Sequence, residues 1–166
     1  MVIKIQSFET SCGELLLGSF NEKLCLCDWK YRKRRIAIDS RIQKALNAVY
    51  EEGDSELIEQ TREQLNQYFS KERTVFDLPL LLAGTDFQRE VWEELMQVPY
   101  GMTESYSGLA NRLNKPKAVR AVATANGANA ISIIIPCHRI IGSNNKLVGY
   151  AGGLDAKKKL LALEQK

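Results

Sequence analysis

Apolar and polar residues alternate in three short stretches near the start of the chain. VIKIQSF, ELLLGSF and KLCLCDW each predict a strand, and the turn-forming SCG and NEK separate them. Helical periodicity follows in RIQKALNAVY and SELIEQTREQLNQYF, on either side of EEGDS. Pro79 disfavours a helix in TVFDLPLLL, which is therefore a returning strand or an extended connector. These elements predict an α/β scaffold domain at residues 1–80, a small antiparallel sheet with helices.

The pattern becomes helical near Gly84. An apolar stripe runs along DFQREVWEELMQV and consists of Phe87, Val91, Trp92 and Leu95. Thr85 or Asp86 can cap this helix. A short helix in SYSGLANRLN, capped by Ser105, precedes another in PKAVRAVATAN, with Pro116 near its first turn. Two short helices with a tight connection have the outline of a helix-turn-helix, so residues 84–166 predict a mostly α domain that contains one.

Composition assigns the chain to an ordinary class of protein. It has 166 residues, 45% of them hydrophobic and 26% charged, as in a globular protein. No apolar run approaches the roughly 18 residues of a membrane span. The N-terminal residues lack the features of a signal peptide. We therefore expect a cytoplasmic protein, with no membrane partner and with reduced cysteines.

The cysteines argue against a metal site. Cys25 and Cys27 form one Cys-x-Cys pair, and Cys12 lies apart from them, so no second pair follows at zinc-finger spacing. The chain has a single histidine, His138. On a strand Cys25 and Cys27 would face the same side, which favours packing as small side chains. We expect no metal and no cofactor.

Positive charge is concentrated in the second half. Between Ser105 and Leu163 there are nine basic residues and one acid, Asp155. Such a cluster fits a polyanionic partner, although a solvated face has the same composition. Arg120 stands beside a run of small side chains on its helix. This arrangement suits either a helix that enters a groove or one packed tightly in a core.

The stretch IIIPCHRIIG places Cys137 and His138 in an apolar run. A thiolate needs a base or a cation nearby, and Pro136 can supply the bend that lets adjacent residues cooperate. A carboxylate usually orients such a base. We prefer Glu164 for this role over Asp155, which we expect to be the N-cap of the last helix. From these residues alone, Cys137 is either a packed thiol or the nucleophile of an acyl-transferring hydrolase.

A family resemblance adds to this reading. The segment NGANAISIIIPCHRIIGSNNKLVGYAGGLDAKKKLLALE closely resembles the active-site region of O6-alkylguanine-DNA alkyltransferases, and GTDFQREVWEELMQVPYGMTESYSGLANRLNKPKAVRAVATANG is similar to the preceding region. The resemblance covers residues 84–164. It implies direct-reversal DNA repair, in which the alkyl group of O6-alkylguanine moves irreversibly to Cys137, once per molecule, after the nucleotide is flipped out. O4-alkylthymine is an open second substrate.

The same resemblance implies a set of catalytic roles. Cys137 would accept the alkyl group, His138 would act as base through a water, and Glu164 would orient His138. Asn129 would be the hinge asparagine between the recognition helix and the reactive segment. Tyr106 would contact the displaced phosphate and donate to the leaving guanine.

The resemblance also implies DNA-binding and pocket residues. Arg120 would enter the duplex in place of the damaged nucleotide. The other DNA-contacting residues would be Ala121, Ala123, Lys117 and Tyr106. The base pocket would be walled by Tyr150, Ala151 and Gly152. The implied partner is double-stranded DNA with O6-alkylguanine, bound by a monomer without an obligate protein partner.

This chain departs from the family pattern in three respects. Ala130 replaces the proline that often follows the hinge asparagine, which would loosen that turn. Ala151 offers the base no side-chain hydroxyl. The single histidine excludes the histidine-containing zinc site of some relatives. Two rival functions are a helix-turn-helix module that senses alkylated DNA without reacting, and a cysteine hydrolase of small acyl substrates.

Overall fold

The computed structural model describes residues 1–165 and begins with a four-stranded sheet. Strands β1 (Val2–Thr10), β2 (Gly13–Phe20) and β3 (Lys23–Trp29) are antiparallel, as predicted. A fourth strand, β4 (Val49–Glu52), pairs with β1 in parallel, so the order is β3-β2-β1-β4. The sheet is therefore mixed, and the expectation of a purely antiparallel sheet was wrong. The side chains of β4 are mostly exposed, so no alternating pattern marks it in the sequence.

Two helices accompany this sheet. Helix α1 (Arg35–Leu46) ends before β4, whose first two residues, Val49 and Tyr50, the sequence pattern had assigned to the helix. Helix α2 (Glu56–Phe69) begins at Ser55, whose side chain accepts a hydrogen bond from the Ile58 amide. The chain then returns in extended form, and Leu80 makes one isolated parallel bridge with Leu24. The predicted extended connector is thus confirmed.

A bulge separates the two cysteines of β3. The pairing of β2 with β3 shifts between Gly18 and Ser19, so Cys25 is the extra residue. Cys25 packs with Ile3 in one buried cluster, and Cys27 packs in the other. The expectation that both thiols face one side was wrong, because the bulge interrupts the alternation. Both are nevertheless buried free thiols.

The second half is mostly helical. Its helices are α3 (Asp86–Leu95), α4 (Tyr106–Arg112), α5 (Val119–Gly127) and α6 (Leu154–Leu163). Thr85 caps α3 in a capping box with Gln88, and the Ser105 side chain caps α4, as expected. Pro116 lies two residues before the N-cap of α5, Ala118, and so near its first turn. The N-cap of α6 is Gly153, and Asp155 lies in its first turn, so the prediction that Asp155 is the cap was wrong.

A second, two-stranded sheet joins distant parts of this half. Strand β5 (Glu104–Ser105) pairs in parallel with β6 (Ile140–Ile141), which brings the start of α4 beside the segment that follows Cys137. One buried cluster contains residues of both halves, from Leu15 to Leu160. Within residues 1–165 no helix has the length and apolar character required to cross a membrane.

Candidate active site

Cys137 begins a short 3-10 turn, Cys137–Arg139, at the end of a buried segment. Residues 131–141 are all buried, and Cys137 is 4% exposed. Within this segment Ile133 has φ 71°, and the Ile134 amide donates to the Ser132 carbonyl at 2.8 Å. A β-branched residue rarely adopts positive φ, so the surrounding packing must hold this turn.

Asn129 holds the two ends of the buried segment together. Its Oδ1 accepts a hydrogen bond from the Ile131 amide at 2.9 Å, and its Nδ2 donates to the Ile135 carbonyl at 2.9 Å. Asn129 is itself buried, and both of its polar groups therefore need such partners. It occupies the position between α5 and the reactive segment that the sequence had assigned to the hinge residue.

The turn at Ala130 is tied to the first half of the chain. The Cys27 amide donates to the Ala130 carbonyl at 2.9 Å, and the Ser132 amide donates to the Cys27 carbonyl at 2.7 Å. Ser132 also donates through its hydroxyl to the buried carboxylate of Asp28 at 3.0 Å. The expected loosening from alanine in place of proline is therefore opposed by an anchor on β3.

His138 and Glu164 form a buried pair. The Nε2 atom of His138 lies 2.7 Å from Oε2 of Glu164, and the His138 side chain is 0% exposed. Glu164 follows α6 as its C-cap residue. Because the carboxylate accepts, Nε2 carries the proton and Nδ1 keeps its lone pair. Within residues 1–165 Nδ1 has no hydrogen-bond partner, which suits a proton acceptor.

Two further residues bind Glu164, and the sequence analysis did not identify them. Arg139 donates from Nε to Oε1 at 2.8 Å and from Nη2 to Oε2 at 3.0 Å, and its Nη1 donates to the Val98 carbonyl. Tyr68 of α2 donates its hydroxyl to Oε2 at 2.6 Å. Arg139 could have been found from its place beside His138, whereas nothing near Tyr68 in sequence marks it.

The surroundings shift the pKa of each group. Burial raises the pKa of Glu164, but hydrogen bonds from His138 and Arg139 outweigh it and hold the value at about 2. Burial lowers the pKa of His138, with Glu164 acting in the opposite direction. Burial also raises the pKa of Cys137 to about 11, against a lowering effect of the Asn129 side chain. The resting site therefore holds a neutral thiol, a neutral imidazole and a carboxylate.

A cleft of about 700 Å³ opens onto Cys137, and we call it the Cys137 cleft. Its volume lies within the range of ligand pockets. Of the residues proposed from the sequence, it is lined by Tyr106, Ala123, Cys137, Tyr150, Ala151 and Gly152. Asn129, His138 and Glu164 lie behind it in the interior. Residues 31–34 of the first half also line the cleft, and they were not predicted from the sequence.

The wall of the cleft is supported by Trp29 at the end of β3. The indole Nε1 donates to the Tyr150 hydroxyl at 3.1 Å, and the two rings meet edge to face with centroids 6.1 Å apart. A Cβ added to Gly152 would lie 2.6 Å from the indole ring. Glycine at this position therefore lets the wall approach the tryptophan closely.

Lys157 is a buried cation that the sequence did not mark as special. It lies on α6, is 0% exposed, and donates to the carbonyls of Ile140 at 2.5 Å, Val148 at 3.0 Å and Gly149 at 3.4 Å. These bonds join the strand after Cys137 to the loop that carries the cleft wall. Burial lowers the pKa of Lys157, and the thiolate form of Cys137 would raise it.

Helix α5 and the connection that precedes it present the remaining predicted residues at the surface. Arg120, Ala121 and Lys117 are exposed, and they do not line the Cys137 cleft. Fewer basic residues of this half are free to bind a polyanionic partner than their number suggested. Arg139 and Lys157 are buried with internal partners, as described above, and Arg112 forms ion pairs with Glu94 and Glu104.

Comparison with known proteins gives consistent results. A family profile described as 6-O-methylguanine DNA methyltransferase, DNA binding domain, matches residues 86–166. A methylated-DNA–protein-cysteine methyltransferase of Methanosarcina acetivorans is 41% identical over 158 residues, 95% of each chain. One of Mycolicibacterium paratuberculosis is 54% identical over 104 residues, 63% of each chain. The crystal structure of Mycobacterium tuberculosis OGT in complex with DNA is similar with a TM-score of 0.82 and 36% identity, covering 99% of this chain and 93% of that chain.

Proposed function

Because the chain belongs to the O6-methylguanine DNA methyltransferase family, we propose that it repairs DNA by moving the alkyl group of O6-alkylguanine to Cys137. The observation that carries this proposal is the position of Cys137 in the lining of the cleft, directly before His138, whose Nε2 is bound to the buried carboxylate of Glu164. A polarisable sulfur suits displacement at a saturated carbon.

The reaction would begin with removal of the thiol proton. His138 is neutral and its Nδ1, which has no partner within residues 1–165, can accept the proton of Cys137 through a water molecule. Glu164 fixes the tautomer and stabilises the imidazolium that forms. Arg139 and Tyr68 hold Glu164 in turn, so the carboxylate keeps its orientation.

Transfer would then form one bond and break another. The sulfur of Cys137 attacks the alkyl carbon, the S–C bond forms, and the electron pair of the C–O6 bond stays with the guanine. The proton removed from the thiol returns to the leaving guanine. Tyr106 lines the cleft. Burial raises the pKa of its hydroxyl, and the thiolate charge of Cys137 raises it further, so the hydroxyl keeps its proton and can donate to the guanine ring. The thioether product has no good leaving group, so each molecule would act once.

The target atom is stacked inside duplex DNA, so we propose that the nucleotide is flipped into the Cys137 cleft at a cost of a few kcal/mol. Helices α4 and α5 would form a helix-turn-helix whose exposed face contacts the duplex. Support comes from the exposed face of α5, where Arg120 is the large side chain and Ala121 and Thr124 are small. Arg120 would occupy the space left by the nucleotide, and Lys117 would bind a phosphate.

The test is intact-protein mass after incubation with excess duplex that contains one O6-methylguanine. We expect one added methyl group per protein, and none in Cys137→Ser. The matched control is Cys12→Ser, because Cys12 is a partly exposed free thiol away from the cleft and its loss should leave the transfer unchanged. Binding of the damaged duplex without any gain in mass would instead favour a lesion-sensing module. Repeated turnover on an activated ester would favour a hydrolase.

A further inference from the structure

The first half of the chain contributes a charged loop to the mouth of the Cys137 cleft. We call residues 30–35, with the sequence KYRKRR, the basic loop. Residues 31–34 of this loop line the cleft together with Cys137. No aspartate or glutamate lines the cleft among residues 1–165.

Three of the five cations in the basic loop have acidic partners. Lys30 pairs with Glu14 at 3.2 Å, and Arg32 and Arg35 pair with the buried carboxylate of Asp28 at 3.1 and 3.0 Å. These contacts fix the backbone of the loop against β3. The residues between these paired cations, Tyr31, Lys33 and Arg34, therefore lie on a backbone that is held in place.

The other two cations and the tyrosine are turned outward. Lys33 and Arg34 are exposed and form no ion pair within residues 1–165. Tyr31 is 80% exposed, and the Lys30 ammonium lies 5.6 Å from its ring centroid. Two free cations beside an exposed aromatic ring form the usual combination for binding a nucleic-acid strand with unstacked bases.

The basic loop also has a fixed position relative to helix α5. Arg32 donates from Nη2 to the Gly127 carbonyl at 2.7 Å and from Nη1 to the Asn129 carbonyl at 3.2 Å. The loop therefore lies beside the C-terminal end of α5. Helix α1, which begins at the loop, has no acid in its first turn and no side-chain cap, so no acid of that turn opposes the positive end of the helix dipole.

We infer that the basic loop is a second DNA-contacting surface, in which Lys33 and Arg34 bind phosphates of the strand that enters the Cys137 cleft and Tyr31 stacks on a base exposed at its mouth. This inference rests on the proposed function, since it assigns DNA to the same cleft. It gives the first half of the chain a role in substrate binding, where the sequence analysis had assigned only scaffolding.

The phosphate contacts are tested by salt dependence. Affinity for a duplex containing O6-methylguanine is measured at several salt concentrations in a Cys137→Ser background, which blocks transfer. We expect the double variant Lys33→Ala/Arg34→Ala to reduce the slope of log affinity against log salt by about 1.8, or about 0.9 for each phosphate contact. The matched control is Lys23→Ala/Lys44→Ala, which removes two exposed cations of the first half that lie outside the cleft. Its slope should equal that of the Cys137→Ser parent.

A second measurement separates DNA binding from damage to the pocket. With Cys137 restored, the rate of methyl transfer from the free base O6-methylguanine should be unchanged within about twofold in the loop variant, because the free base has no phosphate. Transfer from the damaged duplex at limiting concentration should be slower. An unchanged salt slope would overturn the inference even if wild-type transfer is intact. A parallel loss with the free base would show that the loop only shapes the pocket, and would also overturn it.

The stacking contact has its own test. Tyr31→Ala should weaken binding of the damaged duplex at least about fivefold, whereas Tyr31→Phe should retain it, because the ring and not the hydroxyl makes the contact. Equal affinity of wild type and Tyr31→Ala would exclude Tyr31 from the surface. If wild-type protein binds damaged DNA but transfers nothing, the proposed function fails while the salt slopes still decide the role of the loop.

Discussion

Trp29 and Tyr150 are 121 residues apart in sequence, and the indole Nε1 of the first donates to the hydroxyl of the second at 3.1 Å. Tyr150 lines the Cys137 cleft, whereas Trp29 ends a strand of the first sheet. The shape of the proposed base pocket thus depends on a residue far outside the reactive segment. Gly152 lies against the same indole ring.

Gly152→Ala should therefore damage both stability and the pocket. The new Cβ would meet the Trp29 ring at 2.6 Å, and overpacking of this kind costs about 1–3 kcal/mol. Urea unfolding should show this loss, and the transfer rate should fall with it. Gly127→Ala is the control for stability, because a Cβ there meets no atom within 4 Å, and it should be neutral or slightly stabilising. Equal stability of both variants would contradict the close approach.

The pH dependence of transfer should reveal the base. With His138 present, the rate should change little from pH 7 to 9, because the neutral imidazole takes the proton from a thiol that burial keeps neutral. In His138→Gln the thiolate must form without assistance. Since the pKa of Cys137 is about 11, the rate should then be lower and should rise about tenfold per pH unit over the same range. Single-turnover rates with labelled duplex would measure both profiles, and parallel profiles would remove His138 from this role.

Lowering the pH should reduce the free energy of unfolding through protonation of Glu164. Its pKa in the folded protein, about 2, lies below its ordinary value of 4.5, so its stabilising effect is present above pH 4.5 and is lost as the pH falls towards 2. Glu164→Gln removes the carboxylate and leaves the buried Arg139 without its ion-pair partner, at a cost of about 3–5 kcal/mol near neutral pH. The difference in unfolding free energy between wild type and variant should shrink between pH 4.5 and 2. A constant difference would show that Glu164 is not an ionised partner.

Lys157 should matter for both structure and rate. Lys157→Met leaves three carbonyls without their donor, so we expect a loss of about 1–3 kcal/mol in stability. It also removes a positive charge that opposes the raising effect of burial on the pKa of Cys137, so transfer should slow by a similar factor throughout pH 7 to 9. Lys158→Met, at the exposed neighbouring position on α6, is the control for thermal unfolding and rate measurements. Equal stability and equal transfer rates of the two variants would show that the buried Lys157 contributes no more than an exposed lysine.

Much of the fold could be predicted because its signals are local. Alternation marked β1 to β3, and side-chain caps at Thr85 and Ser105 marked two helix starts. The errors share a different origin. Strand β4 is short and largely exposed, and it is recognisable only from its partner β1. The bulge at Cys25 likewise depends on the pairing of two strands, which the sequence of either strand does not reveal.

The site residues also divide into those that the local sequence marks and those that only the fold brings together. Cys137, His138 and Asn129 lie close together along the chain, and a specific motif marks them. Glu164 could be proposed because few acids remain after Cys137. Tyr68 and the basic loop come from the first half, and only the fold brings them to the site. No periodicity or spacing connects such residues, so no reading of the sequence pattern could assign them.

The pairing of Cys27 with Ala130 and Ser132 has a consequence for how the chain opens. The Cys27 amide of β3 donates to the Ala130 carbonyl, and the Ser132 amide donates to the Cys27 carbonyl. Both Cys27 and Ser132 are buried. Such amides exchange with solvent deuterium only when the surrounding unit unfolds. We expect the Cys27 and Ser132 amides to exchange together, at the slow rate set by global unfolding. The reactive segment would then be among the last parts of the molecule to become accessible, and a chain cut after residue 80 would lose the partner that protects it.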